Sequence, residues 1–149
     1  MFLATEQPME NSRTTSNLLV LDQAPPEEFM AKILSAGLKP TPDTVFVDGR
    51  TLYNPSGNPI QTNLFVHEEV HMIRQGPDPD AWWDKYLSDP IFRLEEEILA
   101  YQKQYKYAKT MIKDRNELFK FLNRLANDLS GPIYGNLCTK AEAMKKIKE

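Results

Sequence analysis

The sequence predicts an α+β fold that is mostly helical, and three observations carry that reading. First, a β-rich run stands on each side of Asp48-Gly49, with Thr44-Val45-Phe46-Val47 before it and Thr51-Leu52-Tyr53 after it. That is the strongest short hairpin signal in the chain. Second, from Thr62 onward the chain reads as successive helices broken at Gly76-Pro77, Ser88-Asp89-Pro90 and Ser130-Gly131-Pro132, where glycine and proline stop a helix or cap the next one. Third, 149 residues with 41 % hydrophobic and 26 % charged content suit one globular domain with a core of its own.

Taken in order, residues 1–16 are rich in Gln, Pro, Asn, Ser and Thr and are expected to be a mobile tail, leaving 17–149 as the single domain. Asn17 to Leu21 is a short apolar run, either a strand or a core plug. Pro25-Pro26-Glu27-Glu28 opens a helix, with proline in the first turn and acids at the positive end of the dipole, and Gly37 stops it after about Ala36. Leu38 to Asp43, with Pro40 and Pro42, is a stiff connector into the hairpin, and Asn54 to Asn58 is a loop. A helix over Thr62–Gln75 follows. Leu64, Phe65, Val66, Val70, Met72 and Ile73 cover nearly every direction of its wheel, so it is expected to be buried all round.

Asp80 to Tyr86 reads as a short helix whose Trp82 and Trp83 pack in the core. A longer helix runs from about Ile91 to Lys109. After a loop near Lys113-Asp114 comes another, with Leu118, Phe119, Phe121, Leu122, Leu125, Ala126 and Leu129 on its buried side. Ile133 to Asn136 is an irregular turn, and Thr139 caps a final basic helix, Lys140–Lys148.

Bulk properties exclude several classes. A net charge of −3 leaves no overall electrostatic footprint for nucleic acid, and the lysines of the last helix (Lys140, Lys145, Lys146, Lys148) read as a solvated face. The lone Cys138 rules out an internal disulfide and a thiolate-rich zinc site, and it fits a reducing compartment. No apolar run reaches the roughly 18 residues of a membrane span. The first residues lack the basic and apolar regions of a secretory signal, so a cytoplasmic setting is expected, with a virion or host cell as alternatives.

The chain is organised around His67-Glu68-Glu69-Val70-His71, and it contains no histidine outside this stretch. This is the H-E-x-x-H pattern: two imidazoles at i and i+4 for one zinc ion, with a Glu as general base. One helical turn separates the rings, so both can reach one metal from the same face. Glu68, rotated about 100° from His67 and about 60° from His71, can meet a metal-associated water without being a ligand. Glu69 points away from that face.

A catalytic zinc usually keeps three protein ligands and one open position. With no third histidine, the remaining ligand must be a carboxylate, and Glu95-Glu96-Glu97 offers three. Leu94, Ile98, Tyr101, Tyr105, Ala108 and Ile112 form a stripe at i, i+4, i+7 that should face the core. From its centre Glu97 lies about 60° away, Glu95 about 100° and Glu96 about 160°. Glu97 is therefore the best third ligand, with Asp84 and Asp89 as less well-aimed alternatives.

His67-Glu68-Glu69-Val70-His71 followed by Glu97-Ile98-Leu99-Ala100 resembles the gluzincin arrangement, H-E-x-x-H and then E-x-x-A on a second helix. In particular it is similar to the short single-domain zinc metallopeptidases of phages and bacteria. These have a comparable Trp- and Tyr-bearing stretch between the motifs and a continuation matched here by Ala100-Tyr101 and Gln104. The resemblance covers roughly residues 44–137. It implies a compact zincin-like fold with a small sheet beside the first motif helix, His67, His71 and Glu97 as Zn2+ ligands, and Glu68 as base.

The chemistry expected from these residues is hydrolysis of a peptide bond in a peptide or protein substrate. An oxyanion donor is also needed. Tyr134, in the Gly131-Pro132-Ile133-Tyr134-Gly135 turn, is the first candidate, with Tyr101 and Arg93 as alternatives. The rival expectation is a catalytically silent zincin-like binding or structural protein, such as a component of a larger phage assembly. Oligomeric state is not legible.

Overall fold

The structure, a computed structural model, describes residues 2–3 and 17–149. Apart from Phe2–Leu3, the segment expected as a mobile tail lies outside the described residues. The architecture is α+β and mostly helical, as the sequence predicts. Four short strands form one sheet in the order β1-β3-β4-β2: β1 is Phe2–Leu3, β2 Leu19–Leu21, β3 Thr44–Asp48 and β4 Thr51–Tyr53. The helices are α1 (Glu27–Ser35), α2 (Thr62–Gln75), α3 (Pro79–Ser88), α4 (Pro90–Met111), α5 (Arg115–Leu129) and α6 (Lys140–Lys148).

The hairpin forms where the sequence places it, with Val47 opposite Leu52 and Asp48 opposite Thr51. Gly49 has φ of 62° at the first of the two loop positions, where a II′ turn demands glycine. The run at 17–21, left open between strand and plug, is β2. It lies parallel to β4, with Val20 opposite Leu52, a pairing that needs the intervening α1 crossover. β3 also carries β1 on its other side, antiparallel, with Leu3 opposite Thr44. Thr44 to Val47 are all buried, because the strand has neighbours on both edges and helices over it.

α2 is fastened to the hairpin by one side chain. Gln75 accepts a hydrogen bond from the Gly49 N–H at 2.7 Å and donates one to the Val47 carbonyl at 2.9 Å. Trp83 Nε1 donates to the same carbonyl at 3.1 Å. Both tryptophans pack inside, as expected, and Trp82 stacks on Tyr86 at 4.8 Å between ring centroids. α3 and α4 meet at Asp89, whose carboxylate accepts the Ile91 and Phe92 N–H groups. α4, the longest helix among the described residues, packs against α2, α3, α5 and α6.

Three expectations about burial need correction. α2 is not buried by its apolar residues: Ile73 is 68 % exposed, and Phe65, Val66, Val70 and Met72 are only half-buried. Its buried side is Asn63, Leu64, His67, Glu68, His71 and Gln75, a mostly polar face at i, i+4 spacing. On α4 the buried face is Arg93, Glu96, Glu97, Ala100, Tyr101, Gln104, Tyr105 and Ala108; it keeps Tyr101, Tyr105 and Ala108 of the expected stripe but is centred about 70° from it at 100° per residue, which leaves Leu94, Ile98 and Ile112 half-buried. Glu96, expected to point outward, is consequently inside. On α5, Phe119 is 59 % exposed while the rest of the expected side packs inward. The turn after α5 is a short 3-10 helix, Pro132–Tyr134. Among the described residues no helix is long and apolar enough to cross a membrane.

Candidate metal centre

The polar faces of α2 and α4 meet, and His67, His71 and Glu97 come together there. His67 and His71 stand one turn apart on α2, with ring centroids 5.0 Å apart. The Glu97 carboxylate enters between them from α4: Oε1 lies 3.2 Å from His67 Nε2 and Oε2 lies 3.1 Å from His71 Nε2. One ligand atom from each of the three residues lies within 4.8 Å of the other two. A tetrahedral zinc with bonds of about 2.0–2.1 Å separates its ligands by about 3.3–3.4 Å, so each imidazole already stands close to one Glu97 oxygen at about that spacing, and the three groups need only draw together from within 4.8 Å to share one ion. Two imidazole nitrogens and one carboxylate oxygen also form a donor set that suits zinc.

Protonation follows the same logic. All of His67, Glu68, His71 and Glu97 are fully buried. Burial lowers the pKa of His67, against the pull of the nearby Glu97 and Glu68 carboxylates, which favours the neutral imidazole that a metal needs. For Glu97 burial alone would raise the pKa. The neighbouring His71 and the hydrogen bonds from both imidazoles outweigh it, holding the carboxyl well below its ordinary value and ionised. Glu68 approaches the pair from the side, its Oε1 3.9 Å from His67 Nε2. That is beside the three-residue cluster rather than within it.

Aromatic residues close the site. Tyr101 meets the His67 ring edge-on at 4.5 Å, and Trp82 lies 5.4 Å from His71. The Tyr86 hydroxyl donates to Glu97 Oε2 at 2.6 Å. Tyr134 is fully buried, and its hydroxyl lies 2.8 Å from that of Tyr101. Burial, joined by the charge of Glu97, pushes the Tyr86, Tyr101 and Tyr134 phenols well above their ordinary pKa, so all three remain protonated donors. The structure thus brings Tyr134 and its alternative Tyr101 to one place.

Other candidates lie elsewhere. The Arg93 guanidinium donates to the main-chain carbonyls of Tyr134 at 3.0 Å and Tyr86 at 2.7 Å, a bracing role rather than that of an oxyanion donor. The Asp84 carboxylate is largely exposed and faces Lys32 at 3.6 Å, and Asp89 caps α4. Glu95 is exposed. Glu96 is buried but engaged, accepting from Arg74 Nε at 2.8 Å and from Trp82 Nε1 at 2.8 Å.

Asn63 and Tyr86 carried no role in the sequence reading, Glu96 entered it only as the carboxylate aimed furthest from the core, and Gln104 only as part of the motif match. His67 Nδ1 lies 2.9 Å from Gln104 Oε1, and Gln104 Nε2 donates to Asn63 Oδ1 at 2.6 Å. A usable signal was present. Asn63, His67 and His71 stand at i, i+4, i+8, and Glu97, Tyr101 and Gln104 at i, i+4, i+7, so two polar stripes face one another. No protein-family model, curated protein or solved structure matches the chain.

Proposed function

We propose that the chain is a metal-dependent hydrolase, and more narrowly a zinc metallopeptidase acting on a peptide or protein substrate. The observation that carries this is the convergence of one ligand atom each from His67, His71 and Glu97 within 4.8 Å, with the carboxylate of Glu68 alongside. A zinc held by those three would lower the pKa of a water to near 7 and polarise the scissile carbonyl. Glu68 takes a proton from the attacking water and delivers it to the leaving amine. Tyr134, paired with Tyr101, supplies the donor that steadies the developing oxyanion. The lone cysteine agrees with a reducing setting such as the cytoplasm, a host cell or a virion within it.

The complete burial of His67, Glu68, His71 and Glu97 favours a second reading: a zincin-like binding or structural protein that holds zinc without turnover, for example within a phage-type assembly. One pair of measurements separates the two. Purified protein is expected to carry about one zinc per chain, and Glu68→Gln is expected to keep it while losing 10²-fold or more of the hydrolysis of an unstructured protein, roughly the share a general base supplies. Zinc at full occupancy with no difference between wild type and Glu68→Gln would leave only the silent reading.

A further inference from the structure

We infer that Gln104, held by Asn63, is the positioning residue that fixes the tautomer and aim of His67; the inference rests on the metal-site reading above. The three side chains form a closed bracket between two helices. Asn63 and His67 are one turn apart on α2, and Gln104 reaches across from α4 to touch both. All three are fully buried, so no solvent competes for their hydrogen bonds.

The chemistry runs in one direction. Gln104 donates its amide N–H to Asn63 Oδ1, which turns its carbonyl oxygen toward His67 Nδ1. A carbonyl oxygen only accepts, so His67 must place its proton on Nδ1. A metal at the site would replace the Nε2 contact to Glu97 Oε1 at 3.2 Å and take the Nε2 lone pair, which requires the remaining ring proton to stand on Nδ1. A metal-ligating histidine needs its other ring N–H anchored in this manner. Here the anchor is a neutral amide oriented by a second amide, in place of a carboxylate. His71 differs: its Nδ1 makes no hydrogen bond among the described residues, and beyond its Nε2 contact with Glu97 its ring is placed by Trp82 and His67. The site therefore has one imidazole held at its second ring nitrogen and one that is not, and Gln104 makes the difference.

The test compares zinc dissociation constants of wild type, Gln104→Leu and Gln104→Glu by competition with a chromophoric chelator, alongside the melting of each zinc-free protein. Leu fills similar space but cannot accept, and it should weaken zinc by about 10–100-fold. Glu still accepts from Nδ1 and should stay within about fivefold of wild type. In the zinc-loaded wild type the His67 Nδ1 proton should be visible by NMR and slow to exchange, and Gln104→Leu should abolish that protection. Gln104→Leu binding zinc as tightly as wild type would overturn the inference. So would Gln104→Glu losing as much as Leu, since that would mean both amides are turned the other way. Should the Leu variant fail to melt cooperatively, the Glu variant decides alone. Wild type binding no zinc would sink the metallopeptidase reading itself, whereas wild-type binding with an indifferent Gln104 would sink only this role.

Discussion

Tyr86 donates its phenolic hydrogen to Glu97 Oε2 across 2.6 Å, in the interior between α3 and α4. Hydrogen bonds to a charged acceptor contribute more than neutral ones, about 1.5–3 kcal/mol, and this one helps aim the carboxylate between the imidazoles. Tyr86→Phe keeps the ring that stacks on Trp82 and removes only the donor. Zinc affinity should fall by about 10–100-fold, measured by chelator competition. A variant with wild-type affinity would show that the carboxylate holds its place without the phenol.

Zinc should also act on the fold, because the ligands come from two helices that the ion would join. Binding to the folded state alone adds about 4 kcal/mol at a free concentration of 1,000 times the dissociation constant. In a chain of this size that raises Tm by about 8–16 °C. Calorimetry with and without zinc should show this rise for wild type and lose it for His71→Ala. An equal rise in the variant would place the ion elsewhere.

Asp128, on α5, should give stability an unusual pH dependence. Burial raises its pKa to about 7, opposed by Arg124, while the unfolded chain keeps the ordinary value near 4. The folded state therefore binds the extra proton between those values, and stability falls as pH rises from about 4 to about 7. The loss is on the order of 2–4 kcal/mol, at 1.36 kcal/mol per pKa unit. Asp128→Asn cannot ionise. Its stability advantage over wild type should grow across that window and stay constant above it, as followed by urea unfolding at several pH values. A gap independent of pH would show that Asp128 titrates normally.

Much of the site was legible because its pattern is local. His67, Glu68 and His71 lie within five residues of one helix, and 3.6-residue geometry alone puts both imidazoles on one side. Glu97 was reached by wheel arithmetic, though from a premise the structure revises. The arithmetic took the apolar stripe of α4 as its inward direction. The true inward direction is partly polar, because α4 faces the polar stripe of α2 across the His67, His71 and Glu97 side chains. Glu97 thus sits nearer the centre of the buried face than the apolar pattern implied, and Glu96 enters the interior to meet Arg74 and Trp82. The same inversion explains why α2, apolar on nearly every side, buries Asn63 and Gln75 while Ile73 faces outward. Partners such as Gln104–Asn63 and Tyr86–Glu97 span 41 and 11 residues, and no local period announces them. The hairpin was legible from Asp48-Gly49, but the parallel partner of β4 was not, since a five-residue apolar run carries no pairing information.

Asp89 ends α3 and begins α4, so the chain reverses through a single amino acid. One extra residue spliced into that corner would split the two cap roles Asp89 fills and shift α3 against α4, drawing the Tyr86 phenol from Glu97 and the Trp82 indole from Glu96. The exposed stretch at 57–59 touches none of these groups. Added length there would disturb only the loop bonds to Asn54 and Ser56, whereas at the corner it would fall between the two helices whose side chains meet at Glu96 and Glu97.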